Sequence, residues 1–423
     1  MADLRADTAR FTLDIPTLDR EVLVVGFESI ERVSQLFRFE LELASEDVEI
    51  DFEKVINKPA LLTIEGTDQP RYVHGVVNRF EQGDEGDRFT TYYATLVPPV
   101  WYLTQRYDCR IFQNKSVQEI VEAVLKDAGF TSEDYHFALQ GSYPAREYCV
   151  QYRESDLNFI SRLLEEEGIT YFFKHEQDKH VLELVDGNTG FPSIAGSETV
   201  IFHAPTAQVT TEEHVNKFRF TQQVRPGTVI YRDYNFKKPD LNLESDAAAA
   251  SDTQLEVYDY PGLYEETGQG GTRAQVRLEE FQAVRKAGRG GSDCVRLLPG
   301  FQFTLDEHPR ASFNQKYLLT EVRQTGRQPQ VLGETAGGQE PHYDNTFVCI
   351  PGDTPYRPHR VTRRPVVEGA QTAIVVGPGG EEIYTDEHGR VKVQFHWDRG
   401  SEADENSSCW IRVSSAWAGA GWG

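Results

Sequence analysis

The sequence predicts a mainly β fold with helical insertions, an α+β architecture. Three observations carry that prediction. Runs of alternating apolar and polar residues fill the first hundred residues and resume late in the chain. Two amphipathic helices with start and stop signals interrupt them. A polar-tipped hairpin pattern then begins near Glu382.

From Phe11 to Pro99 the alternation is strand-like at Val22–Phe27, Phe37–Leu43, Ala60–Ile64, Arg71–Phe80 and Arg88–Val97. The last two are joined by Gln82-Gly83-Asp84-Glu85-Gly86-Asp87, an acidic hairpin tip. Ser116 with Glu119 three residues on is a capping box, followed by Val117, Ile120, Val121, Val124 and Leu125 on one face and Gly129 as the stop. A second helix starts near Ser155-Asp156, buries Leu157, Ile160, Leu163 and Leu164, and stops at Gly168. Strands resume at Ile169–Phe173 and His180–Val185, then at Phe218–Arg225 and Thr228–Tyr234. Asp246–Ser251 reads as an exposed loop, Tyr258–Gly262 as a turn, Thr267–Gly271 as a flexible run and Thr272–Ala287 as a third helix. Strand patterning returns from Val295.

A faint internal repeat runs through the β segments. Ala60–Ile64, Tyr72–Val77 and Tyr93–Pro98 recur in order and character as Phe301–Leu305, Tyr317–Val322 and Asn345–Pro351, each set ending in an apolar-Pro stop. Two similar β modules with helical material between them follow from it. At the end, Val391, Val393, Phe395 and Trp397 share one strand face, Asp386-Glu387-His388-Gly389 is the turn, and Cys409–Val413 is a second strand. One hairpin and a half strand cannot bury their own apolar face, so the chain is expected to break off within a small β-barrel.

Composition bounds the function. The 423 residues, 39% hydrophobic and 11% aromatic, suit about three globular domains. The 67 acidic against 43 basic residues give a net charge of −24, which disfavours nucleic acid and anionic lipid as partners. No apolar stretch approaches the roughly 20 residues of a spanning helix. Met1–Phe11 is polar and carries no signal-peptide core. Cys109, Cys149, Cys294, Cys349 and Cys409 are odd in number, widely spaced and form no CxxC, as expected of reduced structural thiols.

Catalytic patterns are near misses. His175 and His180 frame a zincin-like box with one residue too many, and a polar hairpin turn between two strands is the better reading. Gly290-Gly291-Ser292-Asp293-Cys294 lacks the second Gly of a nucleophile elbow. Gly268–Gly271 and Gly377–Gly380 have neither the strand-to-helix setting nor the Lys-Ser/Thr of a phosphate loop. His308, His342, His359 and Cys349 match no ligand spacing. Glu165-Glu166-Glu167 at a helix C-terminus opposes the macrodipole. A glycosidic acid pair is one reading of these acids; a solvated rim, or an Arg partner from another segment or chain, is the other. The residues therefore predict no catalytic, cofactor or metal site. Two enzyme-free surfaces, the tip Gly83–Asp87 and the segment Asp246–Ser251, stand as candidate contacts.

Four segments in order resemble one family. They are Tyr152–Tyr171 (YRESDLNFISRLLEEEGITY), Leu255–Gly262 (LEVYDYPG), Leu298–Phe303 (LPGFQF) and Tyr384–Asp398 (YTDEHGRVKVQFHWD). Together they resemble the valine-glycine-repeat (VgrG) spike proteins of type VI secretion, which are similar to a fusion of a phage tail hub with a tail spike. The resemblance implies two tube-type β-barrel modules per chain, forming a pseudo-sixfold ring in a homotrimer, then an OB-fold neck and a β-helix needle. On this reading residues 1–100 are the first module and 101–205 a helix-containing region. Residues 206–235 with 295–365 form the second module, 236–294 an insertion, and 366–423 an incomplete neck without its needle. It implies a structural, non-enzymatic part of a contractile machine that caps a hexameric secretion tube, meets a baseplate and delivers effectors. Tip protein and effectors would bind through the missing C-terminal part, and the target membrane would be pierced rather than bound. The chain would be cytoplasmic during assembly and ejected afterwards. A cell-wall hydrolase and a carbohydrate- or cargo-binding module are the alternatives.

Overall fold

The computed structural model describes residues 9–67, 69–204, 212–332 and 341–414. The chain divides into two compact units, one formed by residues up to Trp101, Thr131–Gly141 and Gly168–His359, the other by Tyr102–Phe130, Ser142–Glu167 and residues from Arg360 on. The expected polar N-terminus up to residue 8 and the terminal Trp422-Gly423 lie outside the described residues.

The first unit begins with six strands: β1 (Phe11–Asp14), β2 (Leu23–Arg32), β3 (Arg38–Ser45), β4 (Pro59–Ile64), β5 (Arg71–Glu85) and β6 (Thr90–Val97). They pair antiparallel in the order β1-β4-β5-β6-β3-β2, and Thr12 opposite Leu23 joins β1 back to β2. The result is a closed six-stranded barrel with no free edge. Alternation sets its inside: Phe39, Leu41 and Leu43 on β3 and Ala60, Leu62 and Ile64 on β4 are all buried.

Next come β7 (Tyr107–Lys115), α1 (Val117–Asp127), β8 (Tyr135–Ala138), β9 (Arg146–Ser155) and α2 (Asp156–Glu167). Strands β10 (Thr170–His175) and β11 (His180–Val185) form a hairpin, with β8 parallel beside β11. The rest of the first unit holds β12 (Thr199–Phe202), β13 (His214–Gln222), β14 (Thr228–Asp233), β15 (Leu243–Ala248), β16 (Glu256–Asp259) and α3 (Thr267–Ala283). It is completed by β17 (Lys286–Ser292), β18 (Gln302–Asp306), β19 (Lys316–Arg327) and β20 (His342–Pro351).

A second ring closes here. Its order is β19-β18-β12-β13-β17-β20, and β20 pairs again with β19. Strand β12 is parallel to both neighbours, so this barrel is mixed where the first is antiparallel. Phe303, Leu305, Tyr317, Leu319, Val322 and Phe347 fill it. The two barrels are joined by one antiparallel pairing, β2 with β19, running from Glu321↔Arg32 to Arg327↔Gly26.

The internal repeat has a structural basis. Its early segments lie on the β4-β5-β6 meander, and its late ones on β18, β19 and β20, where β19 likewise pairs with both companions. Each barrel therefore contains the same antiparallel three-strand unit.

Several elements differ from expectation. Thr228–Asp233 stands outside the second barrel, in a three-stranded sheet ordered β15-β14-β16 under α3. Asp246–Ala248 is the end of strand β15 and Ala249–Ser251 the loop after it: Leu243 and Ala247 face the helix while the acids between them face out. Thr267–Gly271 is the first turn of α3, because packing of Ala274 and Leu278 on the sheet outweighs the poor propensity of its glycines. Tyr258–Gly262 holds the end of β16 and a cis Tyr260–Pro261 bond.

In the second unit, β7 pairs with β9, and α1 and α2 pack together. Both halves of the Ser116/Glu119 capping box form. On α2, Phe159, Ile160, Leu163 and Leu164 are buried, whereas Leu157 is only half-buried. The carboxylate of Asp156, 1% exposed, accepts hydrogen bonds from Arg106 (2.9 Å), Arg110 (2.6 Å) and Gln151 (2.8 Å). Late in the chain, β22 (Lys392–Phe395) pairs with β21 (Ala373–Val376), a strand the hairpin reading did not include. Gly389 takes φ 66° in the expected turn. Cys409–Val413 makes one bridge, Ile411 to Val391, instead of a strand.

Candidate functional site

The acids Glu165, Glu166 and Glu167 form a clamp inside the second unit. Glu165 accepts the Val361 and Thr362 N–H groups, each at 3.0 Å, and the Thr362 hydroxyl at 2.6 Å. Glu166 pairs with Arg146 at 2.8 Å and with Arg364, and Glu167 pairs with Arg146 at 2.5 Å. Charge-assisted hydrogen bonds of this kind offset the unfavourable helix end. The acids hold a returning segment, as the reading with Arg partners from other segments expected.

His175 and His180 face each other across the β10–β11 hairpin, ring centroids 5.4 Å apart, with Phe37 against both. The His74 N–H donates to His175 Nδ1 at 3.1 Å, which leaves the ring proton on Nε2, an atom that is buried without a partner among the described residues. Burial holds His175 well below the usual histidine range and His180 down at about 4. An unfolded chain protonates both near 6.5, so folding stability from this pocket is intact above pH 6.5 and falls as pH drops from there toward 4. His180 alone accounts for roughly 2 kcal/mol at pH 5. Urea midpoints of the parent are therefore expected to fall further between pH 7.5 and 5 than those of His180→Gln; equal falls contradict this.

The other motifs are structural. The Ser292 hydroxyl donates to the His214 carbonyl at 2.7 Å and accepts the Cys294 N–H at 3.0 Å, so it is no free nucleophile. Cys294 is fully buried, and burial pushes its thiol up. His308 packs tilted against Phe202, His342 pairs with Asp344, His359 faces Glu280, and Cys349 lies in the second barrel core. Gly268–Gly271 opens α3, and Gly377–Gly380 follows β21. Among the described residues no His, Cys, Asp and Glu group is placed to hold a metal ion. A cleft of about 740 Å³ in the second unit is walled by Asp108, Arg110, Asp127 and Arg399. Those charges already pair with one another, Arg399–Asp108 at 2.9 Å and Arg110–Asp127 at 3.1 Å.

What the first unit builds instead is a joint. Arg71 on β5 donates to Glu31 on β2 and to Gln324 on β19, and Gln324 also donates to Glu31. The Tyr343 hydroxyl on β20 donates to Gln324 at 3.1 Å, and Asn345 Nδ2 reaches the Cys294 carbonyl at 2.9 Å. All five side chains are buried, and they span both barrels. Arg296 and Glu213 (3.0 Å, both buried) form a second tie, with Glu213 accepting the Thr67 N–H from the β4–β5 connection at 3.3 Å. Sequence reasoning missed these residues. The available signal was polar residues at inward positions of period-2 strands: Glu31 in phase with Phe27, Gln324 with Val322, and Asn345 with Phe347.

Late in the sequence the second unit exposes the apolar side chains of Val366 (76% exposed), Ile374 (55%), Val375 (65%) and Ile383 (80%).

Comparison with known proteins agrees with this architecture. Residues 30–330 match the model of the phage tail baseplate hub (GPD) family. The chain is similar to the type VI secretion system spike proteins VgrG4b and VgrG1b of Pseudomonas aeruginosa, at 42% and 41% identity over 99% of its length. It spans about half the length of these curated relatives, 53% and 57%. Its structure is similar to that of the E. coli c3393 protein, described as a component of the type VI secretion system with structural similarity to T4 bacteriophage tail proteins gp27 and gp5. That match has a TM-score of 0.70 and 25% identity, and it covers 95% of this chain and 92% of that one. Two fused closed barrels, a helix-bearing second unit and a hub-family match over residues 30–330 lead to one conclusion: the chain belongs to the phage tail baseplate hub family.

Proposed function

We propose that the chain is a structural component of a contractile secretion machine, the hub and neck of a homotrimeric spike that caps a hexameric tube. The pair of closed barrels joined by β2 and β19 carries this reading. A three-chain assembly of such pairs presents six barrels, a geometry that matches a hexameric tube. A part that transmits compressive force needs closed barrels and internally satisfied joints, and it needs no reactive centre. The exposed Val366, Ile374, Val375 and Ile383 support a neck, from residue 366 on, that completes an OB-like barrel against other copies. Baseplate, tip protein and effectors are its proposed partners, with cytoplasmic assembly followed by ejection and passage through the target membrane. The net charge of −24 keeps the object soluble and away from anionic lipid until it is driven.

Electron-microscopic class averages of the purified chain are expected to show a threefold particle with six lobes. Particles of one two-lobed body at every concentration contradict the reading.

A further inference from the structure

The sides of the two barrels farthest from their joint carry opposite exposed charge. Counting round each ring, β5 stands three strands from β2 in either direction, and β13 stands three from β19. Because β2 and β19 make the joint, β5 and β13 are the strands farthest from it.

On the β13 side, Lys217 and Arg219 are exposed, while their neighbours Phe218 and Phe220 turn toward the barrel core. Arg289 on β17, also exposed, is the direct cross-strand partner of Arg219, and exposed Lys286 opens the same strand. Like charges placed directly opposite across a sheet destabilise it. None of Lys217, Arg219 and Arg289 makes an ion pair among the described residues. In a chain with 67 acidic residues, a basic strip without an ion-pair partner among the described residues points to a counter-charge outside the molecule.

On the β5 side the strand runs out through Glu81, Gln82, Asp84 and Glu85 to Asp87, all exposed. Tyr93, 45% exposed, lies opposite Glu81 on β6. Arg79 pairs with Glu81 and Arg88 with Glu46, so the charge left over at this end is acidic: Asp84 and Glu85, near the Tyr93 ring, make no ion pair among the described residues.

We propose that the β13–β17 basic strip of one copy docks on the acidic β5–β6 end of the next copy. The contact uses two different surfaces, so it is heterologous and repeats head to tail until the ring closes. A second copy fits better than an unrelated partner because the complementary surface already exists, on the opposite end of the same two-barrel unit. This deepens the trimer reading above and rests on it.

Sedimentation velocity on the purified chain tests the contact. Association of the parent is expected to weaken as sodium chloride is raised. Reversing the strip (Arg219→Glu with Arg289→Glu) or the end (Asp84→Lys with Glu85→Lys) is expected to weaken it by about a hundredfold or more. The chain carrying all four changes is expected to associate again. Thermal unfolding confirms that each variant is folded. A strip-reversed chain that associates like the parent overturns this contact while leaving the hub reading intact. Failure of the folded four-change chain to recover also overturns it, as does a parent that stays a single chain at every salt concentration.

Discussion

Arg71→Met is expected to cost about 3–5 kcal/mol of folding stability, read as a lower urea midpoint at pH 7.5. The substitution strands the buried Glu31 carboxylate, 6% exposed, together with the Gln324 amide that shares it. An isolated buried charge is far costlier than a missing contact. Replacing both ions, Arg71→Met with Glu31→Leu, is expected to recover part of the loss, since no charge is then left unpaired. The network holds side chains from β2 and β5 of one barrel and from β19 and β20 of the other, so the single variant is also expected to loosen the joint. Faster amide exchange along β2 and β19 than along β3 and β6 is the matching signature. Uniform exchange with an unchanged midpoint contradicts this account of the joint.

Gly300→Ala is expected to be nearly as damaging, at roughly 2–5 kcal/mol. Gly300 has φ 84°, and its N–H donates to the Leu319 carbonyl at 2.9 Å. A Cβ there would lie 2.3 Å from Cγ of Phe172, itself 2% exposed, so neither backbone nor neighbour can give way. Gly129 provides the comparison. Its φ is 92°, but beyond its chain neighbours no atom of the described residues lies within 4 Å of the Cβ position, so Gly129→Ala carries only the backbone cost of about 1–2 kcal/mol. Equal losses in the two variants would mean that the Phe172 contact contributes nothing.

Legibility in the sequence tracked how local each feature is. The Ser116 capping box, the β3 and β4 alternation and the turn at Gly389 involve residues within a few positions of one another, and each formed as read. Strand β17 carries no local strand signal, because Gly288, Gly290 and Gly291 have no strand propensity. Their smallness has a tertiary cause: a Cβ at Gly290 would lie 2.2 Å from the Phe347 ring across the pair. The early and late meanders were visible as a repeat, but the pairing of β2 with β19 joins residues about 290 to 300 positions apart in the chain, and no local pattern encodes it. The same limit hid the joint. Arg71 and Gln324 look like ordinary polar residues until the barrels bring them together. Glu165–Glu167 stood out by its unfavourable helix end, yet its partners Arg146, Thr362 and Arg364 could be supplied only by the fold.

The central claim is that a two-barrel chain closes with two copies of itself into a ring through its own surfaces. Light scattering coupled to size exclusion on this chain tests it most directly. The account predicts a particle near three times the 48.0 kDa chain mass, dissociating as salt is raised. A mass of 48.0 kDa at low salt and high protein concentration would contradict it.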